Sequence, residues 1–316
     1  MSLAADALQA QVVRGLMSFG GRVPNMTLSE VLTTTNAGYD LAFGSQTVFI
    51  DFRQPEFLVG VVAGEYSRFA LAALQTLKAI PDEMTDKGSL PWSLIKLYYS
   101  AFYAAHALIR LFGQSCSHFN KKQVTQITDF GISTGNPPPF VIKAGLYHCV
   151  INASASGWQA TGMDGSSHET FWKVFRDWIE QSQRTMSRAV VTLSPTELQE
   201  VILKLETLKE IIKANRLSIV RNSLQYRHEY GVWFPIKLSK RDMQALARLA
   251  SRWNGDPMKI DLRVANTGAL GEFVLGCTFI VSLCRTMLKR VAERSTAGKK
   301  SFVHFGPLDV LERAGG

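Results

Sequence analysis

At 316 residues, with 46% hydrophobic, 10% aromatic and only 19% charged side chains, the chain can build one large or two modest cores and lacks the composition of a disordered polypeptide. Four cysteines, Cys116, Cys149, Cys277 and Cys284, with no CxxC pair, exclude a disulfide scaffold and fit a reducing compartment. The net charge of +9 is concentrated: residues 201–300 hold 19 basic and 8 acidic side chains (+11), against 16 and 18 (−2) elsewhere. Such a region suits RNA, DNA or an anionic membrane surface, with solubility as the plainer use of the same charge.

The opening MSLAADALQA has no basic stretch followed by an apolar run, which predicts cytoplasmic residence. Residues 1–64 read as an accessory segment of mixed or β-containing structure. They hold a short helix in ALQAQVVRGLMSF and two strand-like runs, TVFIDF and EFLVGVV. Residues 65–294 read as a helical domain. Its first helix carries Tyr66, Phe69, Leu71, Leu74 and Leu77 at helical spacing and stops at Pro81.

The next helix starts after a Ser89 cap and Pro91, runs through WSLIKLYYSAFYAAHALIRLFG to Gly113, and is apolar nearly all round. Small residues among its aromatics describe a central helix approached closely from several sides; His106 within it reads as a core histidine bonding to a neighbouring helix, with a catalytic or ligand role as the alternative. Residues 114–167 are broken by GISTGNPPPF and ASASGWQATGMDGSS and read as loops or an insertion. Helix returns at His168, with Phe171, Phe175, Trp178 and Ile179 on one side; His168 and Glu169 themselves read as capping or surface charge.

Ser194, Pro195 and Glu197 open a long helix through a capping box. Leu198, Leu205, Ile212, Ile219 and Tyr226 repeat every seven residues, beside a second stripe of Val201, Leu208, Asn215 and Asn222. Two such stripes fit a bundle core or a second copy of the chain, so a homodimer is expected. A further helix in LSKRDMQALARLASRW and an apolar helix over 269–294 follow, then a tail, 295–316, containing His304. Between Glu272 and Arg285 lie 12 uncharged residues, short of a bilayer span, so no integral membrane association is expected; an amphipathic contact is the alternative.

The chemistry gathers in VRNSLQYRHEYGVW. On a continuous helix Arg221 and His228, seven apart, differ by about 20° in direction, so both reach one cleft. A guanidinium offers a fork of donors to phosphate and an imidazole moves protons near neutrality. Together they suffice to cut RNA without a metal, the 2′-hydroxyl attacking the adjacent phosphorus. One histidine cannot easily serve as base and acid at once, whereas a symmetric dimer brings two. Asn222 and Tyr226 flank the pair, Glu229 and Tyr230 follow it, and Lys213, Arg216 and Arg227 are candidate nucleic-acid contacts. The plainer reading of the same residues is a basic helix end complementing its dipole. No phosphate-binding glycine loop or complete metal-ligand spacing accompanies them, so no cofactor or metal is expected.

Arg221, Asn222 and His228 resemble the Arg-x(4–6)-His motif of the HEPN superfamily of helical ribonucleases and toxins. His228, Glu229 and Tyr230 resemble the His-x-Tyr extension of its toxin branch, and Tyr98, Tyr99, Phe102 and Ala105 resemble its Tyr-Tyr-x-x-Phe-x-x-Ala core helix. The resemblance implies a mainly α protein built on an up-and-down bundle, dimeric, with a composite metal-independent endoribonuclease site between subunits. It further implies a role in a toxin–antitoxin or antiviral-defence system, with a nucleotidyltransferase-type antitoxin or defence-system partner and Tyr230 as the residue modified with AMP. Some relatives have lost catalysis, so an inactive RNA-binding or protein-interaction scaffold is the alternative it carries.

Overall fold

The computed structural model describes residues 2–34, 38–86, 88–188, 193–263 and 268–314. The fold is mainly α with one small sheet. In chain order its elements are α1 (Leu3–Leu8), α2 (Leu28–Val31), β1 (Tyr39–Phe43), β2 (Thr47–Phe52), α3 (Pro55–Leu77), α4 (Ile80–Glu83), α5 (Leu90–Leu111), β3 (Gln114–Phe119), α6 (Lys121–Ser133), β4 (Gly145–Ile151) and β5 (Gly157–Met163). These are followed by α7 (Ser167–Met186), α8 (Pro195–Ile212), α9 (Arg216–Tyr226), α10 (Lys240–Ala250), α11 (Gly268–Arg294) and α12 (Pro307–Ala314).

The expected central helix is α5, which packs against α3, α11, α9 and α7. Its small residues Ser100, Ala101, Ala104, Ala105 and Ala107 are all buried, and Ser100 Oγ donates to the Ala73 carbonyl of α3 at 2.8 Å. The run EFLVGVV belongs to α3 and is not a strand: Pro55 sets the first turn, and the helix is buried on all sides over 58–66, which erases the polar face that would reveal its period. Gly64 lets the N-terminal segment pass, since a Cβ there would lie 2.8 Å from the Pro24 carbonyl oxygen.

Residues 114–167 hold β3, α6, β4 and β5 where loops were expected. The five strands form an antiparallel sheet in the order β1-β2-β5-β4-β3, with Ile50 opposite Trp158 and Cys149 opposite Ala160. Thus the accessory segment and the insertion share one sheet, joined where Gly157 allows β5 to press against Ile50 and Asp51. QSCSHF and GWQATGM are poor in branched apolar residues, so their strand character comes from partners rather than local preference. TVFIDF is β2 as expected.

The long helix expected from residue 195 is two helices. Ala214 (φ 49°) and Asn215 (φ 58°) are both left-handed and break it, Asn being among the residues that tolerate this geometry. The seven-residue stripe therefore changes character: Leu205 and Ile212 are buried, whereas Ile219 and Tyr226 are 52% and 69% exposed. The C-terminal segment is not a free tail. Phe302 is buried against Phe19 and Tyr66, and α12 lies on α3. Both 55–83 and α11 are long and apolar enough to cross a bilayer by length and composition, and 67% and 78% of their most apolar windows is covered by the fold itself.

A buried ion pair locks α3 to α5. Arg110 Nε donates to Glu65 Oε2 at 2.6 Å, and Glu65 Oε1 accepts the Leu28 N–H at the start of α2. Arg110 Nη1 also donates to Nδ1 of His106 at 3.0 Å, which fixes that ring as a neutral acceptor; burial first, then Arg110 and His168, holds it well below the usual imidazole range. His106 bonds within its own helix and stacks between Phe69 and Phe171, so it is a core histidine. Replacing Glu65 by Ala strands the buried guanidinium and is expected to cost about 3–5 kcal/mol in urea unfolding; a loss below about 1 kcal/mol would give the pair only the weight of a surface contact.

Candidate functional site

The buried residues of α9 are Leu217, Ser218, Val220, Arg221, Ser223 and Leu224. An arginine among them gives up most of its hydration, and Arg221 is only 7% exposed. Its guanidinium carbon lies 5.2 Å from the ring centre of Tyr98 and 5.7 Å from that of Tyr99, both on α5. Nη1 donates to Gln225 Oε1 at 3.3 Å, and Nε is buried with no hydrogen-bond partner. Among the described residues no carboxylate pairs with it. Its neighbours differ: Arg216 meets Glu272 at 2.7 Å and Arg227 meets Glu229 at 3.9 Å.

Beneath the guanidinium, the buried Tyr98 hydroxyl is a meeting point. It accepts from Trp172 Nε1 at 3.0 Å and lies 2.9 Å from Ser218 Oγ and 2.9 Å from His168 Nδ1. Burial pushes the Tyr98 phenol upward. His168 stands in the first turn of α7, its ring 4.4 Å from Phe102, 5.8 Å from Tyr98 and 6.2 Å from Tyr99. Burial, then the Arg221 charge, lowers its affinity for a proton. His168 is therefore no mere surface cap. It belongs to the Arg221 cluster, and nothing local could signal this, because its partners lie 70 and 50 or more positions away.

His228 does not extend the helix. α9 ends at Tyr226, and His228 (φ 53°) and Tyr230 (φ 67°) are left-handed, so the chain turns away after Arg227. The helical register that would put positions 221 and 228 over one spot is lost. His228 is exposed, its ring 5.2 Å from that of Trp233, which donates from Nε1 to the Leu224 carbonyl at 2.6 Å and meets Trp92 edge-on at 5.7 Å. Trp92 and Tyr99 are seven apart on α5 and share a face, about 10 Å from one another along the axis. The Arg221 and His228 groups are thus ordered along one side of α5, over successive aromatic supports.

The remaining candidates separate. Asn222 and Tyr226 are exposed on α9, and Tyr230 is half-buried, its phenol raised by burial and then by Glu229. Lys213, paired with Glu210 at 3.2 Å, and Arg216 sit at the α8–α9 break, at the opposite end of α9 from Arg227. They form no joint basic patch with Arg227, and each has a carboxylate neighbour. The four thiols are buried, that of Cys116 pushed up to about 12, which makes them poor nucleophiles.

Chemically, the cluster offers a desolvated cation with no carboxylate partner among the described residues, a hydroxyl network and an imidazole whose proton affinity is lowered. Comparison with family models, curated proteins and solved structures returned no significant match.

In an NMR titration His168 should lose its proton below the free-imidazole value of 6.5, and Arg221→Gln should move that midpoint upward by removing the adjacent positive charge. An unchanged midpoint would show that the two groups do not sense each other.

Proposed function

We propose that this chain is a metal-independent endoribonuclease built on a HEPN-like helical bundle, with Arg221 as its phosphate-binding residue. The observation that carries the reading is the buried guanidinium with no carboxylate partner among the described residues. An uncompensated buried cation is costly, and an anionic substrate group supplies the missing partner. The +11 excess over 201–300 favours a polyanionic ligand.

In this reading an imidazole takes the 2′-hydroxyl proton as the 2′-oxygen bonds to phosphorus. The bond to the 5′-oxygen breaks, and that oxygen takes a proton from a second imidazole, leaving a 2′,3′-cyclic phosphate and a 5′-hydroxyl. His228 serves as one of the two, and a second copy of the chain supplies the other. Exposed Trp92, Ile219, Tyr226 and Phe234 offer apolar surface for that copy. The same reading makes the protein a cytoplasmic toxin or antiviral-defence effector, with a nucleotidyltransferase-type antitoxin or defence-system partner acting at Tyr230.

A second reading is a non-cleaving RNA-binding scaffold. The observation favouring it is the departure of His228 from the helix, which removes the shared direction that joint action with Arg221 would use.

The test is an RNA-cleavage time course in EDTA with end-group analysis. Wild type should yield cyclic-phosphate ends, and Arg221→Ala and His228→Ala should each lose at least about 100-fold in rate. Cleavage that requires magnesium, or that survives His228→Ala, would overturn the mechanism; salt-sensitive binding without product would select the scaffold.

A further inference from the structure

The Tyr98 hydroxyl has one proton and two lone pairs; Trp172, Ser218 and His168 lie within 3.0 Å of it, and the Arg221 side chain stands close beside it. The indole N–H of Trp172 can only donate, so it takes one lone pair. Either hydroxyl can donate in the 2.9 Å bond between Tyr98 and buried Ser218; with Ser218 assigned as the donor, the second lone pair is filled. The phenolic proton is then left to His168 Nδ1 at 2.9 Å. In this assignment every buried hydroxyl hydrogen is used, and the neutral imidazole must carry its own hydrogen on Nε2.

The groups facing His168 are Tyr98, Tyr99 and His106 from α5 and Arg221 from α9. Of these, Arg221 is the charged one. Its proximity and the partial burial of the ring oppose a second proton on the imidazole, so His168 acts near neutrality as a hydrogen-bond donor rather than as a cation. Arg221 and His168 both stand within about 6 Å of the same two tyrosine rings, one with an unpartnered buried Nε, the other half-buried. His106, the other imidazole of the ladder, is closed off between Phe69 and Phe171 and cannot take this part.

We propose that Arg221 and His168 form one phosphate-binding site, in which His168 donates its Nε2 hydrogen to a phosphate oxygen while the Tyr98 hydroxyl holds the ring in place from the other side. This adds a donor that the nuclease reading does not contain, and it asks only for binding. The ligand is a phosphate group, either within an RNA backbone or on a free nucleotide, because two donors and a desolvated cation match its oxygens in both.

The experiment uses the full chain and three probes: inorganic phosphate, adenosine 5′-monophosphate and a 2′-O-methylated RNA oligonucleotide that cannot be cut. Binding is read by calorimetry and by the His168 ring nitrogens in NMR. Wild type should bind and shift the Nε2 signal. His168→Phe, which keeps an aromatic ring but no donor, should weaken binding about tenfold or more. His168→Gln, which restores an N–H, should recover most of that loss, a pattern that a packing role would not produce. Arg221→Lys should weaken binding because the forked donors are lost.

Tight binding of the oligonucleotide with weak binding of the monophosphate assigns the site to a nucleic-acid backbone, and the reverse assigns it to a nucleotide. Equal binding by wild type and His168→Phe, with both proteins equally folded in unfolding assays, overturns the proposal, as does the absence of binding to all three probes. If RNA is cut but His168→Phe binds like wild type, the nuclease reading stands without this site. If the site binds phosphate and no RNA is cut, the site stands without the nuclease.

Discussion

Two arginines are buried along the aromatic ladder of α5, and the protein treats them differently. Arg110 has a carboxylate at 2.6 Å, an imidazole acceptor and the face of Phe69 at 4.2 Å. Arg221 has two tyrosine faces, one side-chain amide and an unfilled Nε. A guanidinium removed from water needs compensation on the scale of several kcal/mol, and ring faces supply only part of it, roughly 0.5–2 kcal/mol each. The first arginine is complete within the chain. The second has no carboxylate partner among the described residues, and this asymmetry is what motivates the proposed anion site.

The Tyr98 hydroxyl is the atom at which the elements around Arg221 meet. It ties three helices together at one atom: α5 through its own ring, α7 through Trp172 and His168, and α9 through Ser218. Because α9 also carries Arg221 three residues beyond Ser218, the bond that fixes the helix fixes the guanidinium over the tyrosines. Such a network is rigid when every donor has an acceptor and costly when one is removed. The rings of Phe102, Phe171 and Trp172 pack beside it, so its buried polar atoms interact at short range with weak screening.

Much of this architecture is legible in the residues. The apolar run with small residues between Ser89 and Gly113 announces a central helix, and the Ser194 capping box with Pro195 marks the start of α8 to the residue. The five-stranded sheet is not legible, apart from β2. Of its remaining strands β3 and β5 are rich in Ser, Gly, Gln and Thr, and the pairing of β2 with β5 joins positions more than 100 residues apart, such as Thr47 with Thr161. Likewise EFLVGVV has no polar face because helix and chain surround it, so its period is invisible.

The candidate site divides along the same line. That Arg221 is a phosphate-type side chain in a basic region is a property of composition and needs no coordinates. That it is buried, without a carboxylate partner among the described residues, and accompanied by His168 rather than aligned with His228 is decided by contacts among α5, α7 and α9, and by two left-handed residues after Arg227. Periodicity describes directions along one helix. It cannot foresee where the helix stops or which side chains from remote segments arrive beside it, because those outcomes depend on the total free energy of packing and not on any local preference.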